Sequence, residues 1–146
     1  MTAPIELQAY FPFFLGTLAN RWTATSSRLY LARFGIGIGE WRVLASIHSL
    51  GTASSNEVVN LISMDAGAVS RSVSKLAQDG YLARVHGKFT GRTRPLELTA
   101  TGRKLYASVQ RVALRREEAL LAALTAEERL KLIELLRKVW SRIDVL

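Results

Sequence analysis

The spacing of apolar residues changes at Gly80, from the period of a helix to that of a strand. Before this glycine, residues 66–78 carry valine and leucine at steps of four and three, which places them on one helix face. After it, residues 81–85 form a short apolar run, and Leu96 and Leu98 alternate with polar neighbours. The sequence therefore predicts a helix followed directly by a two-stranded hairpin.

Six helices are predicted in all, from apolar periodicity, capping residues and glycine stops. They are expected at residues 5–34, 40–50, 55–62, 66–78, from Thr99 or Thr101 to about 124, and at 126–145. Ser54–Glu57 and Thr125–Glu128 have the spacing of capping boxes, and Asp65 is the expected cap of the fourth helix. Pro12 belongs in the first turn of the first helix or kinks its start.

The net charge of +8 is concentrated in the middle of the chain. Residues 65–104 carry eight Lys or Arg against three Asp or Glu, a net charge of +5. Such an excess favours a polyanionic partner, above all nucleic acid. Residues 105–146 mix acids and bases, which is typical of a solvated helix face.

The predicted fourth helix has a surface without carboxylates opposite its apolar face. This surface carries Gly67, Ser70, Arg71, Ser74 and Lys75. Small hydroxyl residues would let the backbone approach a major groove, while Arg71 reaches base edges or phosphate. Gly67 is either a position of close approach to DNA or a glycine tolerated in a first turn, and both interpretations stay open.

The predicted hairpin carries Lys88, Arg92 and Arg94 near its tip. An arginine there can enter the narrow minor groove, where the potential is most negative. A basic loop on its own is more often simply a solvated loop. This loop, however, follows a basic helix at the spacing that the β-hairpin (wing) of a winged-helix DNA-binding domain has. Double-stranded DNA is therefore the predicted partner.

The first and last helices present more apolar surface than a winged-helix core of about sixty residues can cover. Phe11, Phe14 and Trp22 lie on the stripe of the first helix, and Leu132–Ile143 contains a wide apolar face. Pairing of two copies across a two-fold axis would bury this surface and place two recognition helices roughly 34–36 Å apart. The alternative is that both helices pack only on their own chain.

Two short helices, a tight break, a third helix and a basic hairpin follow one another in the order of a winged helix-turn-helix. The expected fold is mainly α with a small β-hairpin wing. We predict an N-terminal dimerisation helix at 1–34, a DNA-binding domain at 35–100 and C-terminal dimerisation helices at 101–146. The run Gly35–Gly39 resembles a dinucleotide-binding loop, but it follows a helix and is assigned to a turn.

Several classes of protein are excluded by what the sequence lacks. The chain has no cysteine, which removes disulfides, thiolate metal sites and thiol redox sensing. Its two histidines, His48 and His86, lie in no catalytic motif, so we expect no enzyme, cofactor or metal. The apolar stretch Leu7–Asn20 is too short to span a bilayer, and we expect a cytoplasmic protein without a membrane partner.

Three segments together resemble the MarR family of bacterial transcriptional regulators: Glu40–Leu44, Asp65–Arg84 and Leu98–Gly102. The resemblance extends over nearly the whole chain, including the long flanking helices. It implies a homodimeric winged-helix protein that binds a pseudo-palindromic operator and dimerises through its first and last helices. The expected function is therefore a sequence-specific regulator, as a repressor released by a small ligand.

By this resemblance Arg92 takes the place of the arginine at the wing tip. Thr90 stands where the family usually has an aspartate, so the usual carboxylate anchor of that arginine is missing. The minor-groove arginine is thus either Arg92 or Arg94. The predicted DNA-contacting residues are Ser54, Ser55, Ala66, Gly67, Ser70, Arg71, Ser74, Lys75, Arg84, Lys88, Thr90, Arg92, Thr93 and Arg94.

The resemblance also implies a small aromatic or phenolic acid as effector, bound between the dimer helices and the DNA-binding lobe. Aromatic rings with one or two cations would suit an aromatic carboxylate. The residues of these types are Phe14, Arg21, Trp22, Arg28, Trp41, Arg42 and His48. Core packing is the ordinary alternative for each aromatic, and an ordinary helix histidine is the alternative for His48. The absence of cysteine and of a histidine cluster argues against oxidation-sensing and metal-sensing branches of the family.

Two other functions use the same positive charge. A sequence-neutral architectural DNA-binding protein without an effector would gain its affinity from phosphates alone. A protein-interaction module would turn the basic surface toward an acidic partner.

Overall fold

The computed structural model describes residues 4–87 and 93–145. Within these ranges the chain forms six α-helices, a two-stranded sheet and a short 3-10 helix at Ile143–Val145. The elements are α1 (Phe11–Phe34), α2 (Ile38–Leu50), α3 (Ser55–Ile62), α4 (Ala66–Gln78), β1 (Leu82–Arg84), β2 (Leu96–Leu98), α5 (Ala100–Leu120) and α6 (Ala126–Trp140). This confirms the predicted class, mainly α with a β-hairpin in winged helix-turn-helix order.

The predicted bounds of α3 and α4 are confirmed residue for residue. Ser54 caps α3, since its Oγ accepts a hydrogen bond from the backbone N–H of Glu57 at 3.2 Å. Asp65 caps α4 in the same way, and its Oδ2 lies 2.9 Å from the N–H of Ala68. Each cap satisfies one of the backbone donors that a helix start leaves unpaired.

Pro12 marks the start of α1 and Gly35 its end. The helix begins at Phe11 and not near Ile5 as predicted, because proline fits the first turn, where its missing N–H leaves no hydrogen bond unmade. Gly35 ends it with φ of 70°, a left-handed conformation that glycine adopts without strain, and its N–H donates to the carbonyl of Leu31.

The last two helices are shorter than predicted. α5 ends at Leu120, about one turn early. α6 ends at Trp140 and does not continue through Ile143–Val145, which forms a separate 3-10 turn. The Ser141 hydroxyl donates to the carbonyl of Lys138 at 2.9 Å and so takes up one of the carbonyls at the end of α6.

The chain divides into two compact units, residues 1–109 and 110–146. In the first unit, α2 packs against α4 and the hairpin, and the buried side chains of α2–α4 and of both strands form its core. These side chains are Val43, Leu44, Ile47, Val58, Val69, Val73, Leu76, Leu82, Leu96 and Leu98. The predicted inward face of α4 is thereby confirmed. The division into segments at 1–34, 35–100 and 101–146 stays a prediction.

The hairpin is tied to the loop that precedes α3. In the antiparallel sheet Leu82 faces Leu98, and Arg84 faces Leu96. On its other edge, Leu96 exchanges two backbone hydrogen bonds with Ala53, at 2.8 and 3.0 Å. This bridge holds the start of α3 beside the base of the wing.

The second unit contains no buried residue in α6. Thr125 and Glu128 form the predicted capping box, with Glu128 Oε2 2.8 Å from the N–H of Thr125. Arg129 donates to both carboxylate oxygens of Glu118, at 2.9 and 3.1 Å. No helix in residues 4–87 or 93–145 has the length and apolarity needed to cross a membrane.

Candidate nucleic-acid interface

The outward face of α4 is exposed and polar. Ser70, Arg71 and Ser74 are exposed there, while Val69 and Leu76 on the opposite side are fully buried. Ala66 and Gly67, in the first turn, are exposed as well. This arrangement leaves hydroxyl groups and one guanidinium group on a surface that a nucleic-acid groove could receive.

Gly67 lies between the cap of α4 and Arg71. A Cβ atom at this position would lie 3.0 Å from Asp65 Oδ2 and 3.3 Å from Arg71 Nη1. A side chain would therefore press on the capping carboxylate and on the guanidinium group. This crowding is a local reason for a glycine here, and it adds to the two interpretations that the sequence left open.

Lys75 differs from the other outward residues of α4, because its ammonium group is bound within the protein. Its Nζ lies 2.8 Å from Asp79 Oδ2 and 3.2 Å from the carbonyl oxygen of Gly35. The hydrogen bond that the ammonium group donates to Asp79 raises the pKa of Lys75. The prediction that this face has no carboxylate holds for α4 itself, but Asp79 follows directly after it.

A second group of predicted contacts meets where α3 begins beside the hairpin. A cavity of about 190 Å³ is lined there by Ser54, Ser55, Asn56, Arg84, Thr93 and Arg94. Arg84 Nη1 donates to the carbonyl of Arg94 at 2.9 Å, which links the two sides of the wing base. The guanidinium groups of Arg84 and Arg94 beside the first turn of α3 are donors suited to phosphate oxygens, and the Glu57 carboxylate lies at the same helix start.

Asn56 is the lining residue that sequence reasoning missed. It lies exposed in the first turn of α3, and the signal that could have found it was its position two residues after the cap. Ser54, by contrast, is engaged within the protein. Its N–H and its hydroxyl both donate to Glu57 Oε2, at 2.7 and 2.9 Å. These hydrogen bonds lower the pKa of Glu57.

The predicted contacts Lys88, Thr90 and Arg92 at the wing tip lie outside the described residues. Thr93 and Arg94 are described and exposed, at the edge of the cavity. The two alternatives for the minor-groove arginine, Arg92 and Arg94, therefore both stay predictions.

The residues predicted to bind an effector do not form one cluster in the first unit. Phe14 and Arg21 line a cavity of about 460 Å³ on α1 with Phe13 and Leu18. Arg42 donates to Thr23 Oγ1 at 3.1 Å.

Trp41 and His48 lie together, because both stack on Tyr106. The ring centroids of Trp41 and His48 lie 5.4 and 3.7 Å from that of Tyr106. Tyr106 was missed because only the fold brings α5 next to α2. Trp22 is half-buried and Arg28 exposed on α1. The role of all seven predicted residues in effector binding stays a prediction.

No cluster of three or more metal-ligating side chains occurs in the part of the chain that the structure describes.

Residues 34–92 match the model of the MarR family. Among curated proteins, an HTH-type transcriptional regulator of Bacillus subtilis, YwoH, is 27% identical over 109 residues, which is 75% of this chain and 79% of that protein. The HTH-type regulator BilQ of Clostridium symbiosum is 29% identical over 75% of this chain and 76% of its own length.

Solved structures extend the likeness beyond the matched segment. A MarR/EmrR-family transcriptional regulator from Acinetobacter sp. ADP1 has a TM-score of 0.89 and 29% identity, covering 97% of this chain and all of its own. A mutant MarR from E. coli in complex with operator DNA has a TM-score of 0.71 and 28% identity, over 86% of this chain and 92% of its own.

Proposed function

We propose that this chain, which is similar to the MarR family of DNA-binding transcriptional regulators, represses its target genes by binding a pseudo-palindromic operator as a homodimer. Members of this family are regulators and not enzymes. We further propose that a small aromatic acid releases the protein from its operator.

The exposed outer face of α4 carries this proposal. Ser70, Arg71 and Ser74 project from one side of a helix whose other side is anchored in the core. In a major groove, Arg71 would donate two hydrogen bonds to a guanine edge, while the serines allow the backbone to come close. The cavity between α3 and the wing base would bind the adjacent phosphates through Arg84 and Arg94.

The test begins with selection of bound duplexes from a random pool, followed by substitution of Arg71. Arg71→Ala is expected to cost about 1–3 kcal/mol of operator binding and to relax sequence preference at one position of each half-site. Arg115→Ala, which removes an exposed arginine of the second unit, is the matched control and should leave the preference unchanged. Equal competition by random duplex at moderate salt would favour the sequence-neutral architectural protein instead.

Exposed apolar surface supports the homodimer. Five large apolar side chains of α6 are 37–63% exposed, Leu130 at its start is 76% exposed, and Phe11, Phe14 and Leu18 of α1 are 46–59% exposed. The five α6 residues are Leu132, Ile133, Leu135, Val139 and Trp140. Large exposed apolar side chains on this scale are unusual on a monomer, and a second copy of the chain would remove them from water.

The cavity on α1 supports an aromatic acid as effector. It is lined by Phe13, Phe14 and Leu18, with Arg21 as its cation. An aromatic ring would pack on the apolar lining, while its carboxylate accepts hydrogen bonds from the guanidinium group. Release requires that the acid bind more tightly to a dimer shape whose recognition helices do not fit the operator.

A screen of aromatic acids for loss of operator binding tests this part of the proposal. An acid that releases the wild-type protein should release Arg21→Ala only at higher concentration, whereas Arg115→Ala should respond like the wild type. If no acid of the screen changes operator affinity, the effector proposal fails and the DNA-binding function stands.

A further inference from the structure

We propose that Glu40, Ser72 and Lys75 form a tie that holds the recognition helix α4 to the turn where α1 ends, and thereby sets the position from which α4 reads DNA. The consequence for DNA reading rests on the function proposed above. The tie itself is a property of the folded chain and is tested separately.

Glu40 is the first half of the tie. Its Oε2 accepts a hydrogen bond from the backbone N–H of Gly37 at 2.6 Å, between α1 and α2. Its Oε1 accepts from the Ser72 hydroxyl, on α4, at 3.3 Å. One carboxylate therefore bridges the turn that follows α1 and the inner face of the recognition helix.

The bridge depends on a close approach of α2 to α4. Ser72 is buried, with 5% of its surface exposed. A Cβ atom at Gly39 would lie 3.1 Å from Ser72 Oγ, so the glycine leaves the hydroxyl room to reach Glu40.

Lys75 is the second half. It lies one helical turn after Ser72, and its Nζ donates to the carbonyl of Gly35 at 3.2 Å. Asp79, at 2.8 Å, holds the ammonium group from the other side. Gly35 is the residue at which α1 ends, so both halves of the tie reach the same turn.

Hydrogen bonds add a constraint that the apolar contacts of α4 do not supply. Contacts of valine and leucine depend weakly on direction, whereas a hydrogen bond requires a narrow range of distance and angle. Two such bonds one turn apart would fix the rotation of α4 and its position along its axis. Ser70, Arg71 and Ser74 move as one body with the helix, and a reading surface must be held to within about 0.5 Å to contact its target.

Glu40, Ser72 and Lys75 are thus assigned as positioning residues and not as DNA contacts. For Lys75 this is a reassignment, because the sequence predicted a contact to DNA. Since α1 is the proposed dimerisation helix, the tie would also transmit a change at the dimer surface to α4. Such coupling has to be measured, because the spatial link alone does not establish it.

The first experiment measures the position of α4 in the free, full-length protein. The chain has no cysteine, so spin labels can be placed cleanly at Ala32→Cys on α1 and Ala77→Cys on α4, both exposed. Dilution with unlabelled chains limits the signal to label pairs within one chain. We expect a single narrow distance distribution, and a broader or displaced one when Ser72→Ala and Lys75→Met are added.

Two controls separate the tie from general damage. Lys75→Arg keeps N–H donors and should retain the narrow distribution, as should Ser49→Ala, which removes an exposed hydroxyl of α2. An unchanged distribution in the Ser72→Ala, Lys75→Met variant, folded as judged by circular dichroism, overturns the tie.

The second experiment measures the consequence for DNA. Affinity is compared for the selected operator and for versions with one base pair added or removed between the half-sites. The wild type should bind the respaced operators more weakly, and in the untied variant this penalty should shrink by about fivefold, the worth of roughly one hydrogen bond. Because the penalty is a ratio of two affinities, the loss of any phosphate contact made by Lys75 would weaken binding to both operators equally and would cancel in the ratio.

The outcomes distinguish the two proposals. A wild type indifferent to spacing refutes the operator-binding dimer, whatever the spin labels show. A wild type that discriminates spacing, with an untied variant that discriminates equally well, refutes the positioning role alone.

Discussion

Helices α4 and α6 are both amphipathic, yet they differ in what becomes of their apolar faces. Val69 and Leu76 of α4 are fully buried against the rest of the first unit. In α6 no residue is buried, and Ile133 and Trp140 are 47% and 63% exposed. The proposed recognition helix is therefore stabilised by its own chain, whereas the apolar face of α6 is left exposed in the single chain, as the proposed dimer would require.

Under the proposed function, this difference would let one small protein combine a fixed DNA-reading surface with a dimer interface that responds to conditions. A packed core keeps α4 against its own chain, because a large displacement opens a cavity, and the proposed tie to Glu40 and Gly35 would set its exact position. An apolar face that is buried only in a dimer contributes to stability only when two chains associate. That association depends on protein concentration and on bound ligands. Three predictions test the comparison, beginning with the largest expected effect.

Truncation of a leucine should be costly in one unit and nearly neutral in the other. Leu44, in α2, is fully buried, and Leu44→Ala is expected to lower the free energy of unfolding by about 2–5 kcal/mol. Leu130, in α6, is 76% exposed in the single chain, and Leu130→Ala should change the free energy of unfolding of the monomer by less than about 0.5 kcal/mol, because a contact with a second copy contributes only to the dimer. Urea denaturation followed by circular dichroism measures both. Similar costs at the two positions would contradict the distinction.

A charge placed on α6 should act on association and not on the fold of the first unit. Val139 is 42% exposed, and Val139→Glu would put a carboxylate into the proposed interface. We expect the dimer dissociation constant to rise by about tenfold to a hundredfold, equivalent to about 1.4–2.7 kcal/mol. Sedimentation velocity over a range of concentrations measures the change. Lys138→Gln, at a neighbouring exposed position, lowers the net charge by the same single unit and is the control for charge alone. Equal effects of the two variants would contradict an apolar interface.

The smallest expected effect concerns the capping box of α3. The pKa of Glu57 is lowered, chiefly by the hydrogen bond from the backbone N–H of Ser54. A lowered folded pKa means that the ionised carboxylate stabilises the fold above its ordinary pKa of 4.5, and that this contribution is lost as the pH falls through the lowered value.

Glu57→Gln should therefore destabilise the protein slightly at pH 7, and the difference from wild type should disappear in acid. Thermal unfolding between pH 7 and pH 3 measures it. The exposed Asn60→Ala, elsewhere in α3, serves as a control for pH effects unrelated to the cap. A difference that is constant across this range would show that the carboxylate charge plays no part.

Much of the fold could be predicted where local chemistry decides it. The ends of α3 and α4 follow from Ser54 and Asp65, whose side chains cap the backbone within three residues. The prediction failed at the start of α1 and at the ends of α5 and α6. Apolar periodicity continues beyond the observed ends of α1 and α6. Pro12 fixes where α1 begins, and the Ser141 hydroxyl takes up a carbonyl where α6 ends.

The residues of the candidate site could be predicted from the sequence, but their contacts with residues elsewhere in the chain could not. Arg71 was identified from charge and spacing, and it is exposed on α4 as expected. The engagement of Lys75 with Gly35, 40 positions earlier, has no sequence signal, and neither has the stacking of Tyr106 on His48. Contacts between residues far apart in the sequence depend on how the helices pack.

By itself, the sequence determined the order of the elements, the inward face of α4 and the positive charge of the reading surface, because caps, periodicity and net charge act over a few residues. The tertiary structure alone decided which polar groups of that surface remain available. The fold brings Ser72 to Glu40 and Lys75 to Gly35, and so sets them apart from Ser70, Arg71 and Ser74. A hydrogen bond between residues this far apart in the sequence forms only when packing places its donor and acceptor about 3 Å apart, a condition that no local pattern can specify.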